Sequence, residues 1–230
     1  MTITPALLYR LSGVAIIVAF ALNLTGGLLH PVVGGNAHSV ESLTSFTSPW
    51  AQMILLLGTV IQLIALPGVY AWFAGRAGVA GLVGFVALYS SLMLTSLTHL
   101  AIEAFASYTL ASNPDTAYLV PADGSLIDST AFVVMQMAGG LTYLVSLLAF
   151  GIILVWTRAV PLWIGVIMTI GGVIGVIPWP EVPGVAGLVI ELPRGLAFAA
   201  IGLVILRAHG RPQVTEAPST PARATAPTPA

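Results

Sequence analysis

Long, predominantly apolar runs constrain this chain more than any other feature. Six follow one another, over residues 7–29, 50–73, 79–108, 130–156, 160–177 and 185–206. A run of about 20 apolar residues is what an α-helix needs to cross the hydrocarbon of a bilayer. Lipid offers the backbone no hydrogen-bond partners, so such runs become helices. Hydrophobic residues make up 57% of the chain and charged residues 7%, against roughly 25% charged in a soluble domain. The expected fold is therefore all-α: an integral membrane bundle of six transmembrane helices over residues 1–208. The tail, 209–230, is rich in Pro, Ala and Thr, carries no apolar stripe, and is expected to be disordered. The apolar run behind Arg10 is too long for the core of a signal peptide, so the first segment is read as a retained span.

The arginines orient the bundle. Arg10 lies in the first turn of the first segment, Arg76 between the second and third, and Arg158 between the fourth and fifth; Arg207, Arg211 and Arg223 follow the sixth. The three remaining connections hold no Arg but carry Glu41, Asp115, Asp123, Asp128 and Glu181. Positive residues mark the cytoplasmic side, so both termini are expected in the cytoplasm and the protein in the plasma membrane. Tyr9, Trp72, Trp156 and Trp163 fall at the inner boundary and Trp50 and Trp179 at the outer one, as interfacial aromatic belts do.

Several chemistries are closed to this chain. It has no Cys, hence no disulfide, thiolate nucleophile or Cys-ligated metal. Every cation is Arg, so no lysine nucleophile or Schiff base exists. A net charge of −1 gives no field for nucleic acid. Membrane lipids are the expected surroundings. The spacing of Gly171 with Gly175, and of Gly78, Gly81 and Gly84, allows close helix packing, within the chain or between copies in an oligomer.

Ionisable and strongly polar groups inside a bilayer are costly and are functional candidates by default. At about 1.5 Å rise per residue, His30 lies about 28 Å along the first segment from Leu11, and His99 about 30 Å along the third from Val79. Glu103 is one turn beyond His99 on the same face. Counting back from Leu206, Glu191 stands about 22 Å and Arg194 about 18 Å above the inner boundary. Their i,i+3 spacing lets them pair. Pro193 between them removes a helix hydrogen bond and is expected to kink the span. Gln136 lies about 9 Å below the outer boundary at Thr130. The inner half is nearly all apolar, apart from Asn23 and Gln62 near mid-depth.

His30, His99, Glu103, Gln136, Glu191 and Arg194 thus share the outer half, as a polar pocket opening outward would require. Each also has a plain structural reading. Glu191–Arg194 can be a self-neutralised packing pair, His30 an interfacial helix end, and His99–Glu103 an inexpensive pair near the headgroups. The function expected is a binding or transport protein for a small or lipid-like ligand entering from the outer side; the alternative is an accessory subunit with no ligand. Haem b or a metal ion held by His30 and His99, or a lipid-modifying intramembrane enzyme using Glu191 or Glu103 as an acid, are further alternatives. No nucleophile or paired-aspartate motif is present, so no catalytic residue, metal or cofactor is assigned.

The N-terminal third resembles a broad group of small, uncharacterised bacterial multi-pass proteins. It carries Arg10-Leu11-Ser12-Gly13, Leu28-Leu29-His30-Pro31 and Trp50. In that group a His often follows the Trp; Gln52 or a neighbour takes its place here. The resemblance implies a membrane protein and no particular activity.

Overall fold

The computed structural model describes residues 3–121 and 125–209. Asp123 and the tail from residue 210 lie outside the described residues. Among those described, the secondary structure is helical apart from one isolated bridge between Val33 and Asn36. The elements are α1 (Pro5–Leu29), α2 (Val40–Leu43), α3 (Trp50–Thr95), α4 (Tyr108–Ser112), α5 (Thr130–Thr157), α6 (Leu162–Gly175) and α7 (Val185–His209). Two π-helical segments, Ser96–Leu100 and Ile102–Ser107, join α3 to α4.

Four stretches are long and apolar enough to cross a membrane: Pro5–Leu29, Trp50–Ser112, Thr130–Thr157 and Gly187–His209. The helix α6 is apolar but shorter. Trp50–Ser112 combines two of the six apolar runs, and its limbs meet at Gly78, with φ 60° and ψ −157°. Only glycine reaches that conformation without strain. Arg76 lies beside this break, its guanidinium 4.5 Å above the Trp72 ring.

Close approaches fix how the helices run. A Cβ on Gly13 would lie 3.1 Å from the Gly202 carbonyl oxygen, and one on Gly27 3.0 Å from Gly187 Cα. The pairs occur in opposite order along the two helices, so α1 and α7 are antiparallel and nearly in backbone contact at both ends. Gly26 meets Leu55 and Gly68 meets Ser12, so the first limb of α3 returns along α1. Gly84 meets Phe150 and Gly139 meets Thr98, so the second limb runs against α5. Gly172 meets Leu148 and Gly165 meets Val155, which folds α6 back on α5. Gly171 packs on Arg194 and Gly175 on Leu144, so this glycine pair is engaged inside the chain. The result gathers Arg10, Arg76, Arg158 and Arg207 at one end, with His30, α2 and Glu181 at the other.

The core is apolar and drawn from every long helix, with Ile16, Leu66, Phe73, Leu147, Met168 and Ile201 fully buried. The outer faces are apolar too: Ile64 is 73% exposed and Leu141 60%. A helix apolar all round belongs in lipid or in a large core. One buried polar group ties α1 to α3, with Asn23 Nδ2 donating to Gln62 Oε1 at 3.2 Å and Thr59 reaching Asn23 Oδ1 at 3.5 Å.

Pro193 does not divide the last helix. The proline sits inside α7, which runs unbroken from Val185 to His209. Close contacts hold α7 on both sides of it, Gly187 on Gly27 before and Gly195 on Phe20 after. The helical irregularity falls instead in the π turns after α3, where the wider winding re-aims side chains and often marks a functional site.

Candidate binding cavity

The end of the bundle around His30 is built by a tight turn. After Pro31 the chain reverses through Gly34 and Gly35, at φ 62° and 78°, where a side chain would be strained. Val33 and Asn36 pair across the turn, Val33 N–H donates to Ser42 Oγ at 2.8 Å, and Ser42 Oγ donates to the Asn36 carbonyl. Ala37 N–H donates to Glu181 Oε2 at 2.6 Å, fastening the turn to the segment before α7. His38 N–H donates to Asn36 Oδ1 at 2.8 Å. The turn therefore brings the His38 ring back beside His30, with centroids 5.9 Å apart and edge to face.

From the other side the π turns deliver His99 and Glu103. Glu103 is completely buried, and three imidazoles surround its carboxylate. His30 Nε2 lies 2.7 Å from Oε1, His38 Nε2 3.8 Å from Oε1, and His99 Nε2 3.8 Å from Oε2. Gln52 Nε2 donates to Oε1 at 3.3 Å. Oε2 has no hydrogen-bond partner among the described residues. Gln136 Nε2 donates to His99 Nδ1 at 2.8 Å, so the His99 hydrogen sits on Nε2 and faces the carboxylate.

His30 lies just past the end of α1. Its Nδ1 is 3.3 Å from the Pro31 carbonyl oxygen, which can only accept, and its Nε2 faces the Glu103 carboxylate, an arrangement that favours a positive charge on the ring. Burial opposes that charge. The Glu103 carboxylate and its hydrogen bond, with the Pro31 carbonyl and Glu181, outweigh burial and hold the His30 pKa above its ordinary value.

Deeper along α7 lies a second polar group. Arg194 Nε donates to Glu191 Oε2 at 3.0 Å, and its Nη2 meets Glu191 Oε1. This is a two-pronged pair on successive turns of one helix. The guanidinium also lies over the Tyr143 ring of α5, 5.3 Å from its centroid, a cation–π contact.

Both groups line one cavity of about 370 Å³. All six residues singled out in the sequence, His30, His99, Glu103, Gln136, Glu191 and Arg194, are on its wall. The structure joins His30 to Glu103, His99 to Gln136, and Glu191 to Arg194. Two members of the site were missed. His38 sits in a connection whose depth cannot be reckoned from helical rise; the Gly34-Gly35 pair was the available sign that the chain turns back. Gln52 stood out only as the residue where a His was expected; it donates to the Glu103 carboxylate. The Glu103 carboxylate approaches both rings, His30 through Oε1 and His99 through Oε2.

Fold and cavity together define an all-helical protein, compatible with a membrane-embedded bundle, that encloses a polar site between its helices. Comparison with known protein families, curated proteins and solved structures finds no match to this chain.

Proposed function

We propose that the chain is a six-span plasma-membrane protein, with both termini in the cytoplasm, that binds or transports a small or lipid-like ligand entering from the outer side. The cavity carries this reading: six polar residues spread over the sequence converge on it, and its volume falls within the range of small-molecule sites. Its wall is mixed, with Leu55, Leu92 and Leu144 beside the polar groups, which suits an amphipathic occupant. The charge of Arg194 is already met by Glu191, so a neutral head group carrying a carbonyl or hydroxyl fits better than a bare anion.

The six-span count rests on the Gly78 break, which divides Trp50–Ser112 into two crossings, and on α6. The 14 residues of α6 cover about 21 Å, short of about 30 Å of hydrocarbon, so this crossing also draws on the apolar residues that flank α6 at 160–161 and 176–177. The arginines at one end support the sidedness.

Two experiments test the reading. The chain has no Cys, so Phe46→Cys and Gly75→Cys each provide a single label site; Phe46 is 99% exposed and Gly75 has open space around it. An impermeant maleimide should label the first in intact cells and the second only after lysis. Labelling at position 75 in intact cells sinks the orientation. For the ligand, native mass spectrometry after mild detergent extraction should show a bound small molecule or lipid. Gly140 lines the cavity with nothing within 4 Å of an added Cβ, so Gly140→Leu should fold and lose that adduct. An adduct-free wild-type protein argues for the accessory-subunit alternative.

A further inference from the structure

We propose that His30, His38 and Glu103 form a binding site for a divalent transition-metal ion of the zinc type. The inference goes beyond the ligand cavity and rests on a separate observation. One ligand atom from each of the three residues lies within 4.8 Å of the others.

The donor set suits such an ion. Two neutral imidazoles and a carboxylate are zinc ligands, with metal–ligand distances of about 2.0–2.2 Å. Tetrahedral placement at those distances puts neighbouring ligand atoms about 3.3–3.5 Å apart. The Glu103 Oε1 separations, 2.7 Å to His30 Nε2 and 3.8 Å to His38 Nε2, bracket that value. The third separation, between the His30 and His38 nitrogens, is within 4.8 Å, so side-chain shifts of about an ångström close the site.

The surroundings are those of a held metal ligand. His30 Nδ1 donates to the Pro31 carbonyl oxygen at 3.3 Å, which directs Nε2 at the site; an outer hydrogen bond of this kind fixes the tautomer of a ligating histidine. The proton now shared by His30 Nε2 and Glu103 Oε1 occupies the place of the ion, and binding releases it. Gln52 Nε2 steadies the carboxylate from α3. Oε2 of Glu103 is fully buried with no hydrogen-bond partner among the described residues. A buried carboxylate oxygen without a donor is expensive, and a cation on Oε1 offsets the cost of keeping the carboxylate charged in this setting. His99, with Nε2 carrying its hydrogen, serves as a neighbour and not as a ligand. Three protein ligands leave a fourth position for water or for a group in the cavity they line, the arrangement of an open rather than a purely structural zinc site.

The test uses the full-length protein in detergent, stripped with chelator and reloaded with Zn²⁺ alone, with bound metal measured by mass spectrometry of the elements. Co²⁺ in place of Zn²⁺ gives a visible spectrum that reports coordination geometry. Wild type is expected to hold one ion per chain and to show a tetrahedral Co²⁺ spectrum. His38→Ala should weaken binding by more than about tenfold while the metal-free protein keeps its helical content. His30→Ala and Glu103→Gln should abolish binding, and His209→Ala, a control outside the site, should not change it. No bound ion in wild type, or equal binding by His38→Ala, overturns the proposal. Gly140→Leu separates this site from the ligand reading: it removes the cavity's occupant but leaves all three ligands, so metal binding persists.

Discussion

The two polar groups facing the cavity are constructed on opposite plans. Glu191 and Arg194 complete one another within a single helix, with two hydrogen bonds between them and an aromatic ring beneath the guanidinium. The histidine cluster is gathered from the end of α1, the turn after it, and the π turns after α3. It places three imidazoles around one carboxylate and leaves a buried oxygen of that carboxylate without a hydrogen-bond donor among the described residues. A group that satisfies itself locally can form as its helix forms and needs nothing more. A group assembled from distant segments and still short of a partner leaves room for an interaction from outside the chain, which is the premise of the metal site proposed above.

This contrast predicts the largest effects at the self-contained pair. Arg194→Ala leaves the Glu191 carboxylate buried without its cation and removes the contact with Tyr143. Breaking a buried pair from one side costs about 3–5 kcal/mol, and protonation of Glu191 keeps the loss toward the lower figure. Glu191→Gln should cost less, since the amide oxygen still accepts from Arg194. The double variant Glu191→Gln with Arg194→Leu should recover much of the loss in detergent melting. If it recovers none, each residue has its own separate partner and the pair is not self-contained.

At the cluster, Glu103→Gln is expected to have an intermediate effect, about 1–3 kcal/mol. The amide keeps one acceptor for His30, but the attraction to the three rings is lost. The loss should also be localised differently. Hydrogen exchange should speed up in residues 31–39, which this carboxylate helps hold against the π turns, while α7 stays protected. Uniform loss of protection across α1 and α7 would mean that Glu103 supports the whole bundle, and the two groups would then not differ in plan.

The same contrast explains what was legible in the sequence. The pair announces itself by i,i+3 spacing in an apolar run, and helical rise gives its depth. The shared depth of His30, His99, Glu103 and Gln136 follows from the same ruler, because bilayer crossings are straight and long. His38 escaped because a loop has no fixed rise; its position depends on two glycines at positive φ and on the hydrogen bond from its neighbour Ala37 to Glu181, 144 positions further along the chain. The complete burial of Glu103 was not legible either. Its place near a helix end suggested headgroups, but the returning turn covers it. The unbroken α7 reflects packing that outweighs a local preference: Pro193 removes one hydrogen bond, and the close approach to α1 on either side holds the axis.

The smallest stability effect should fall on the residue that most distinguishes the two plans. The His38 ring is 19% exposed, and the turn carrying it is held by Val33, Asn36, Ala37 and Ser42 through contacts that do not use the imidazole. His38→Ala in metal-free protein should therefore change stability by no more than about 0.5 kcal/mol, as substitutions away from packing and capping features do. Arg194→Ala removes a charge the helix needs for itself; His38→Ala removes a group that the fold does not use. Thermal melting of the chelator-treated variants decides the matter. A loss at His38 as large as that of Glu103→Gln would show the ring holding the turn in place, and the cluster would be structural like the pair. No loss, together with changed melting only when Zn²⁺ is present, would show that the ring belongs to the site and not to the scaffold.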